Sequence, residues 1–190
     1  MKDPIVASSA PNHSRRPTPP VTAAYLERAA LHYLERYSAS TEMLRRTLRR
    51  RATKRAQARG EEPAAFEEMI DAVVGKAVAG GLVDDARFAA ARLATLRRRG
   101  ASARGASAKL AAKGVPREVV EAAMQAEGAQ NNPEDAEIDA ARAYARRRRL
   151  GPHRPPETRQ AHRERDLAAL ARAGFRYDLA RDIVDTDIDG

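Results

Sequence analysis

The sequence predicts an all-α protein made of three tandem three-helix modules stacked into an elongated, curved body. Three observations carry this prediction. Apolar residues recur at helical spacing from Thr22 onward, glycines interrupt the pattern where helices would end, and a Leu-x-x-x-Gly turn returns with similar residues behind it. The composition agrees. Hydrophobic residues make up 43% of the chain but aromatics only 4%, and much of the apolar content is alanine. Alanine buries little area at roughly 25 cal/mol per Å², so thin helices packed closely are favoured over one large core.

Residues 1–20 hold Pro4, Pro11, Pro17, Pro19 and Pro20 with scattered serines, and read as a disordered N-terminal tail. Residues 21–81 read as the first module. Thr22 is a suitable N-cap for a helix with Tyr25, Leu26, Ala29, Ala30, Tyr33, Leu34 and Tyr37 on one face. Ser38-Ala39-Ser40 breaks it, and Ser40 or Thr41 caps a second helix with Met43, Leu44, Thr47 and Leu48. That helix runs into a basic stretch over residues 49–59 and stops by Gly60. Pro63 suits a first helical turn, and Phe66, Met69, Ile70, Val73, Val74 and Val78 mark a third helix ended by Gly80-Gly81.

Residues 82–128 repeat this grammar. Asp84 caps a helix with Phe88 and Leu96 that ends at Gly100. A shorter helix closes at Gly114 after Leu110, and Pro116 opens a third with Val119, Val120, Ala123 and Met124, ending near Gly128. Residues 129–185 form the third module: Ile138, Ala141, Tyr144 and Ala145, a loop over residues 152–156, then Leu167, Leu170 and Gly174, and finally Leu179, Ile183 and Val184. Residues 186–190 are an acidic tail. Leu110…Gly114-Val115 aligns with Leu170…Gly174-Phe175, with Val119 and Leu179 next, then Ala123-Met124 and Ile183-Val184. Arg98-Arg99-Gly100 matches Arg149-Leu150-Gly151. The first module fits more loosely, with an insertion where the glycine is expected. Each module is too small to be stable alone, so neighbours must cover one another's faces.

Lys and Arg total 35 against 26 Asp and Glu, a net charge of +9. A partner dense in negative charge is expected, nucleic acid being the commonest. The chain has no cysteine, which excludes disulfides and thiolate metal sites. No apolar run approaches the ~18 residues a membrane span needs, and no secretory signal is visible, so a cytoplasmic location is expected.

The segment Gly81-Leu82-Val83-Asp84-Asp85-Ala86-Arg87-Phe88-Ala89 resembles the hallmark of the RecX regulatory proteins, in which Gly-Leu-[Ile/Leu/Val]-[Asp/Asn]-Asp-x-Arg-[Phe/Tyr]-Ala joins the first helical module to the second. The aromatic opening helix from Tyr25 to Tyr37 and the leucine-plus-basic second helix agree with it, and the resemblance covers residues 22–185. A basic insertion over residues 51–63 and an expanded stretch over residues 152–163 depart from the family pattern. The resemblance implies stacked three-helix repeats, no cofactor, and an inhibitory role in recombination, DNA repair and the SOS response. Proteins of this kind lodge in the groove of the RecA filament on single-stranded DNA, lower its ATP hydrolysis and strand exchange, and favour its disassembly.

Within the motif, Gly81, Leu82, Asp84, Asp85, Arg87 and Phe88 read as structural. One aspartate caps the helix and the other favours its N-terminal dipole, Arg87 pairs with such an acid or with the preceding module, and Phe88 fills the inter-module core. The contact candidates are arginines. Arg97, Arg98 and Arg99 end one helix, and Arg146, Arg147, Arg148 and Arg149 end its equivalent. Cations at a helix C-terminus are favoured by its dipole, but four in succession point around most of the helix, so DNA phosphates or an acidic recombinase surface are their expected partners. Arg45, Arg46 and Arg49 begin the longest basic run, in which no aromatic is placed to stack on bases.

His13, His32, His153 and His162 are scattered without metal-ligand spacing. Ser38, Ser40, Ser102 and Ser107 sit in turn or cap contexts with no nucleophile arrangement, and no Walker-type loop occurs, so an enzyme is not expected. The expected partners are the RecA filament and single-stranded DNA, with double-stranded DNA left open, and the protein is expected to be a monomer. The alternative is a helical DNA-binding protein acting on DNA directly without recombinase. A third reading is an adaptor whose alanine-rich grooves hold partner helices.

Overall fold

The structure, a computed structural model, describes residues 18–130 and 132–186. The expected tails at residues 1–17 and 187–190, and His13, lie outside the described residues. Among those described there are nine α-helices and no strand. They are α1 (Ala23–Leu34), α2 (Thr41–Gln57), α3 (Glu67–Ala79), α4 (Asp85–Arg98), α5 (Ala103–Ala112), α6 (Arg117–Gln130), α7 (Pro133–Arg148), α8 (Pro156–Arg172) and α9 (Tyr177–Val184). Short 3₁₀ turns, Pro63–Phe66 and Gly151–His153, precede α3 and α8. The fold is all-helical and built of tandem three-helix repeats.

Helix starts follow from side chains that satisfy otherwise unpaired amides. The oxygens of Thr22, Ser40, Asp84, Ser102 and Asn132 accept from the amides of Tyr25, Met43, Arg87, Gly105 and Glu134. Burial then separates three clusters. Leu26, Leu44, Leu48, Ile70 and Val74 centre the first, Phe88, Leu93, Leu96, Leu110 and Val120 the second, and Leu150, Leu167, Leu170, Phe175 and Ile183 the third. Val83 belongs to the first cluster, two residues beyond the expected module end.

The structure corrects three details of the repeat. The expected insertion in the first unit is helix: α2 continues through the buried Ala52 and Ala56 to a turn at Gly60. Ala56 stands four residues before Gly60 as Leu110 and Leu170 do before Gly114 and Gly174, and all three side chains are fully buried. Met69-Ile70 then fall nine and ten residues after Gly60, in register with Ala123-Met124 and Ile183-Val184. Alanine stands where the other two units have leucine, and the register is the same. The second correction is at the end of α7. The Ala101 amide reaches back to the Leu96 carbonyl at 3.0 Å, and the Leu150 amide to that of Ala145 at 2.9 Å, so Gly100 corresponds to Arg149 and not to Gly151. Third, α6 runs past Gly128 to Gln130, and the expanded stretch over residues 152–163 includes the first turns of α8, which starts at Pro156 where the expected loop ends.

The arginines of the α2 extension fasten the chain entering α1. Arg59 donates to the Thr18 carbonyl at 2.7 Å, Arg55 to that of Pro20 at 3.4 Å, and the Arg55 guanidinium lies 3.5 Å from the Tyr25 ring centroid.

Between units, one joint is built twice. The buried Ser40 hydroxyl donates to the Lys113 carbonyl (2.5 Å), where α5 ends, and the Thr41 amide donates to Asp85 (2.7 Å). One unit further on, the buried Ser102 hydroxyl donates to the Ala173 carbonyl (2.7 Å), where α8 ends, and the Ala103 amide donates to Glu137 (3.0 Å). Each serine caps its own helix and holds the next unit with the same oxygen.

In the third unit the buried Asp166 of α8 orders the turn after α7. Its carboxylate accepts from the Gly151 amide (2.8 Å) and from two Arg154 nitrogens (2.7 Å each). Burial alone would raise its pKa, but the Arg154 guanidinium and the Gly151 amide outweigh this and hold the carboxyl below its ordinary value. A depressed carboxylate stabilises the fold above its unfolded pKa of about 3.9 and loses that contribution as pH falls through the folded value. Asp166→Asn is therefore expected to cost roughly 2–3 kcal/mol at pH 7, with the gap to the parent narrowing below about pH 4. Urea unfolding followed by circular dichroism at pH 7 and pH 3 checks this.

Candidate nucleic-acid interface

The Gly-Leu-Val-Asp-Asp-x-Arg-Phe segment connects α3 to α4. Asp84 accepts from the Arg87 amide at 2.9 Å, while Asp85 accepts from the Thr41 amide and so caps α2 across the joint. Arg87 donates to the Gly81 carbonyl at 3.2 Å, the last turn of the preceding unit. Gly81 has a left-handed φ of 68°, Leu82 is exposed, and Phe88 is buried in the second cluster, against which Met43 of α2 packs. The motif is a mechanical link.

The arginines divide into two groups. Arg45 pairs with Asp71 (2.8 Å) and Glu42 (3.0 Å), Arg46 with Glu42 (2.8 Å), and Arg49 grips both Glu67 oxygens at 2.7 Å. These pairs neutralise the start of the α2 basic run. Arg97 does not face outward at all. It is 7% exposed, pairs with Glu127 (3.2 Å) and Glu137 (2.6 Å), and donates to the Ala101 carbonyl (2.8 Å). Expected as a contact residue, it is a buried hub tying α4, α6 and α7, because it follows Leu93 by four residues and so lies on the apolar stripe of α4.

Arg98, Arg99, Arg146, Arg147, Arg148 and Arg149 are exposed, and no ion pair to any of them occurs among the described residues. Gly100 brings them together. A Cβ on Gly100 would lie 2.5 Å from the Tyr144 backbone nitrogen, so the end of α4 presses against α7 two residues before its arginine run. Arg98 and Arg146 line one groove of about 800 Å³ between α4, α6 and α7, together with Glu127, Asp135 and Arg142, the last of which pairs with Asp139 at 3.8 Å. Tyr144, half-buried, packs on Phe175 at 5.9 Å between ring centroids and lies under the guanidiniums of Arg147 and Arg148 at 5.8 and 5.9 Å, so it supports the cations and is not free to stack on a base. His153 is held below its ordinary pKa by burial and, beyond that, by the nearby charges of Arg146 and Arg159. Sequence reasoning found the two clusters but not their meeting, which depends on Gly100, nor the part played by Arg142.

Arg149 stands out by its backbone. Its φ and ψ of 55° and 53° are left-handed, and among the described residues every other positive φ belongs to glycine. Left-handed backbone costs a side-chain-bearing residue about 1–2 kcal/mol.

Among the described residues there is no group of three His, Cys, Asp or Glu placed to hold a metal ion, and no helix is long and apolar enough to cross a membrane.

If Arg149 carries its charge at the expense of backbone comfort, Arg149→Gly should raise stability by about 0.5–1 kcal/mol, the gain being reduced by the looser unfolded chain. The same substitution should weaken polyanion binding. Urea unfolding and a heparin- or DNA-binding titration measure the two effects.

The family model for the second three-helix domain of RecX matches residues 84–124, which are α4 to α6 with the capping Asp84. The chain is 43% identical over 168 residues to the regulatory protein RecX of Myxococcus xanthus (strain DK1622), covering 88% of each chain. It is 28% identical over 161 residues to the regulatory protein RecX of Agrobacterium fabrum (strain C58 / ATCC 33970), covering 85% of this chain and 82% of the relative. No solved structure matches. With a matching family domain at its centre and a relative of this identity along most of its length, the chain belongs to the RecX family of regulatory proteins.

Proposed function

We propose that this chain binds the RecA filament on single-stranded DNA in the cytoplasm and restrains its ATP hydrolysis and strand exchange, acting as a regulator of recombination and repair and not as a catalyst. Family membership supports the regulatory role. The observation that carries the contact assignment is the convergence at Gly100 of two exposed arginine clusters lacking acidic partners among the described residues. Such a surface suits backbone phosphates read without regard to base, since the nearby Tyr144 ring is already packed beneath arginines. Six arginines on single-stranded phosphates at roughly 0.7 each give a log–log salt slope near −4. Arg45, Arg46 and Arg49, occupied by Glu42, Asp71 and Glu67, are secondary contacts in this reading.

The test is the single-strand-dependent ATPase rate of the cognate RecA as this protein is titrated in with DNA in excess. Inhibition well below one molecule per recombinase protomer is expected. Combined Arg146→Glu, Arg147→Glu, Arg148→Glu and Arg149→Glu substitutions should weaken it more at moderate than at low salt. Inhibition relieved by adding more DNA would instead favour a protein that acts on DNA directly.

A further inference from the structure

We infer that the chain moves as two bodies: the second and third units form one rigid piece, and the first unit pivots on it through the connection at residues 80–84.

What the joints share is the serine device. Ser40 and Ser102 reach the end of the next unit's middle helix, an acid of that unit accepts from the following amide, and a glycine, Gly114 or Gly174, packs against the side chains of Glu42 or of Ser102 and Arg104. The first joint adds to this a hydrogen bond from Arg46 to the Ala112 carbonyl at 3.3 Å and the apolar contact of Met43.

The second joint has three further ties. Five residues before its serine stands Arg97, buried and bonded to Glu127 and Glu137; five residues before Ser40 stands Glu35, which is exposed. Two residues before Ser102 stands Gly100, against the Tyr144 backbone; two residues before Ser40 stands Ser38, exposed. Finally, α4 and α6 both pack along α7, and these are the helix pairs in extended contact between different units. The connection across the first joint is loose in the same sense: the five residues between α3 and α4 include Gly80 and Gly81. A contact of a few hydrogen bonds and little apolar surface belongs to the low-stability end of local opening, and a short connection with small residues can absorb the dihedral changes of a hinge.

The absence of cysteine allows clean labelling at introduced pairs. Exposed Glu68 in α3, Ala122 in α6 and Gln160 in α8 report on the three units. Spin labels on E68C/A122C span the first joint, and those on A122C/Q160C span the second. Double electron–electron resonance on the full chain should give a distance distribution about twice as wide across the first joint. Equal widths, or a wider distribution across the second joint, would overturn the inference. Adding Arg97→Met to the A122C/Q160C pair, with helicity retained by circular dichroism, should broaden the second distribution toward the first; an unchanged width would remove Arg97 from the clamp. The comparison between the two parent pairs stands whatever that variant does.

Discussion

Ser40 and Ser102 each satisfy two constraints with one hydroxyl, and the tandem architecture depends on that economy. A three-helix unit of this size cannot bury enough surface to stand alone, so its helix ends must close against a neighbour. A buried helix end carries unpaired amides or carbonyls whose desolvation costs about 1–3 kcal/mol each. The serine oxygen accepts an amide of its own helix, its proton goes to a terminal carbonyl of the next unit, and the amide beside it is taken by Asp85 or Glu137. No buried side-chain polar atom among the described residues is left without a partner. The joint is thus specified by hydrogen-bond geometry, where an alanine-rich chain has little shape to offer.

Much of the fold was legible in the sequence because helical periodicity, Ser, Thr and Asp caps and glycine stops act locally. Residue identity misleads where backbone geometry decides. Gly100 and Gly151 match by identity, yet the reach-back hydrogen bonds pair Gly100 with Arg149. Gly60 is legible as a helix stop but not as the counterpart of Gly114 and Gly174, because alanine stands four residues before it where those units have leucine. Asp166, which accepts three hydrogen bonds in the core of the third unit, gave no local signal beyond being an acid among leucines.

The candidate surface was legible in part. Runs of arginine announce charge but not its availability. Arg97, Arg98 and Arg99 look alike in sequence, and only the position of Arg97 relative to Leu93 hinted that it would turn inward. The net charge of +9 is likewise unevenly available, since acids from α2 and α3 engage Arg45, Arg46 and Arg49. The end of α7 lacks such acids among the described residues, and there a left-handed arginine occupies a place that glycine fills at other helix ends.

The central claim is that the joint at Gly100 holds two arginine clusters in one binding surface. It is tested most directly by disturbing that contact while keeping every arginine. Gly100→Ala would place a methyl 2.5 Å from the Tyr144 backbone, whereas Gly60→Ala imposes a comparable left-handed penalty with nothing within 4 Å. The measurement is the salt dependence of binding to recombinase assembled on single-stranded DNA, for both variants and the parent. The account predicts a shallower slope for Gly100→Ala and a parental slope for Gly60→Ala. Equal slopes in all three folded proteins would contradict it.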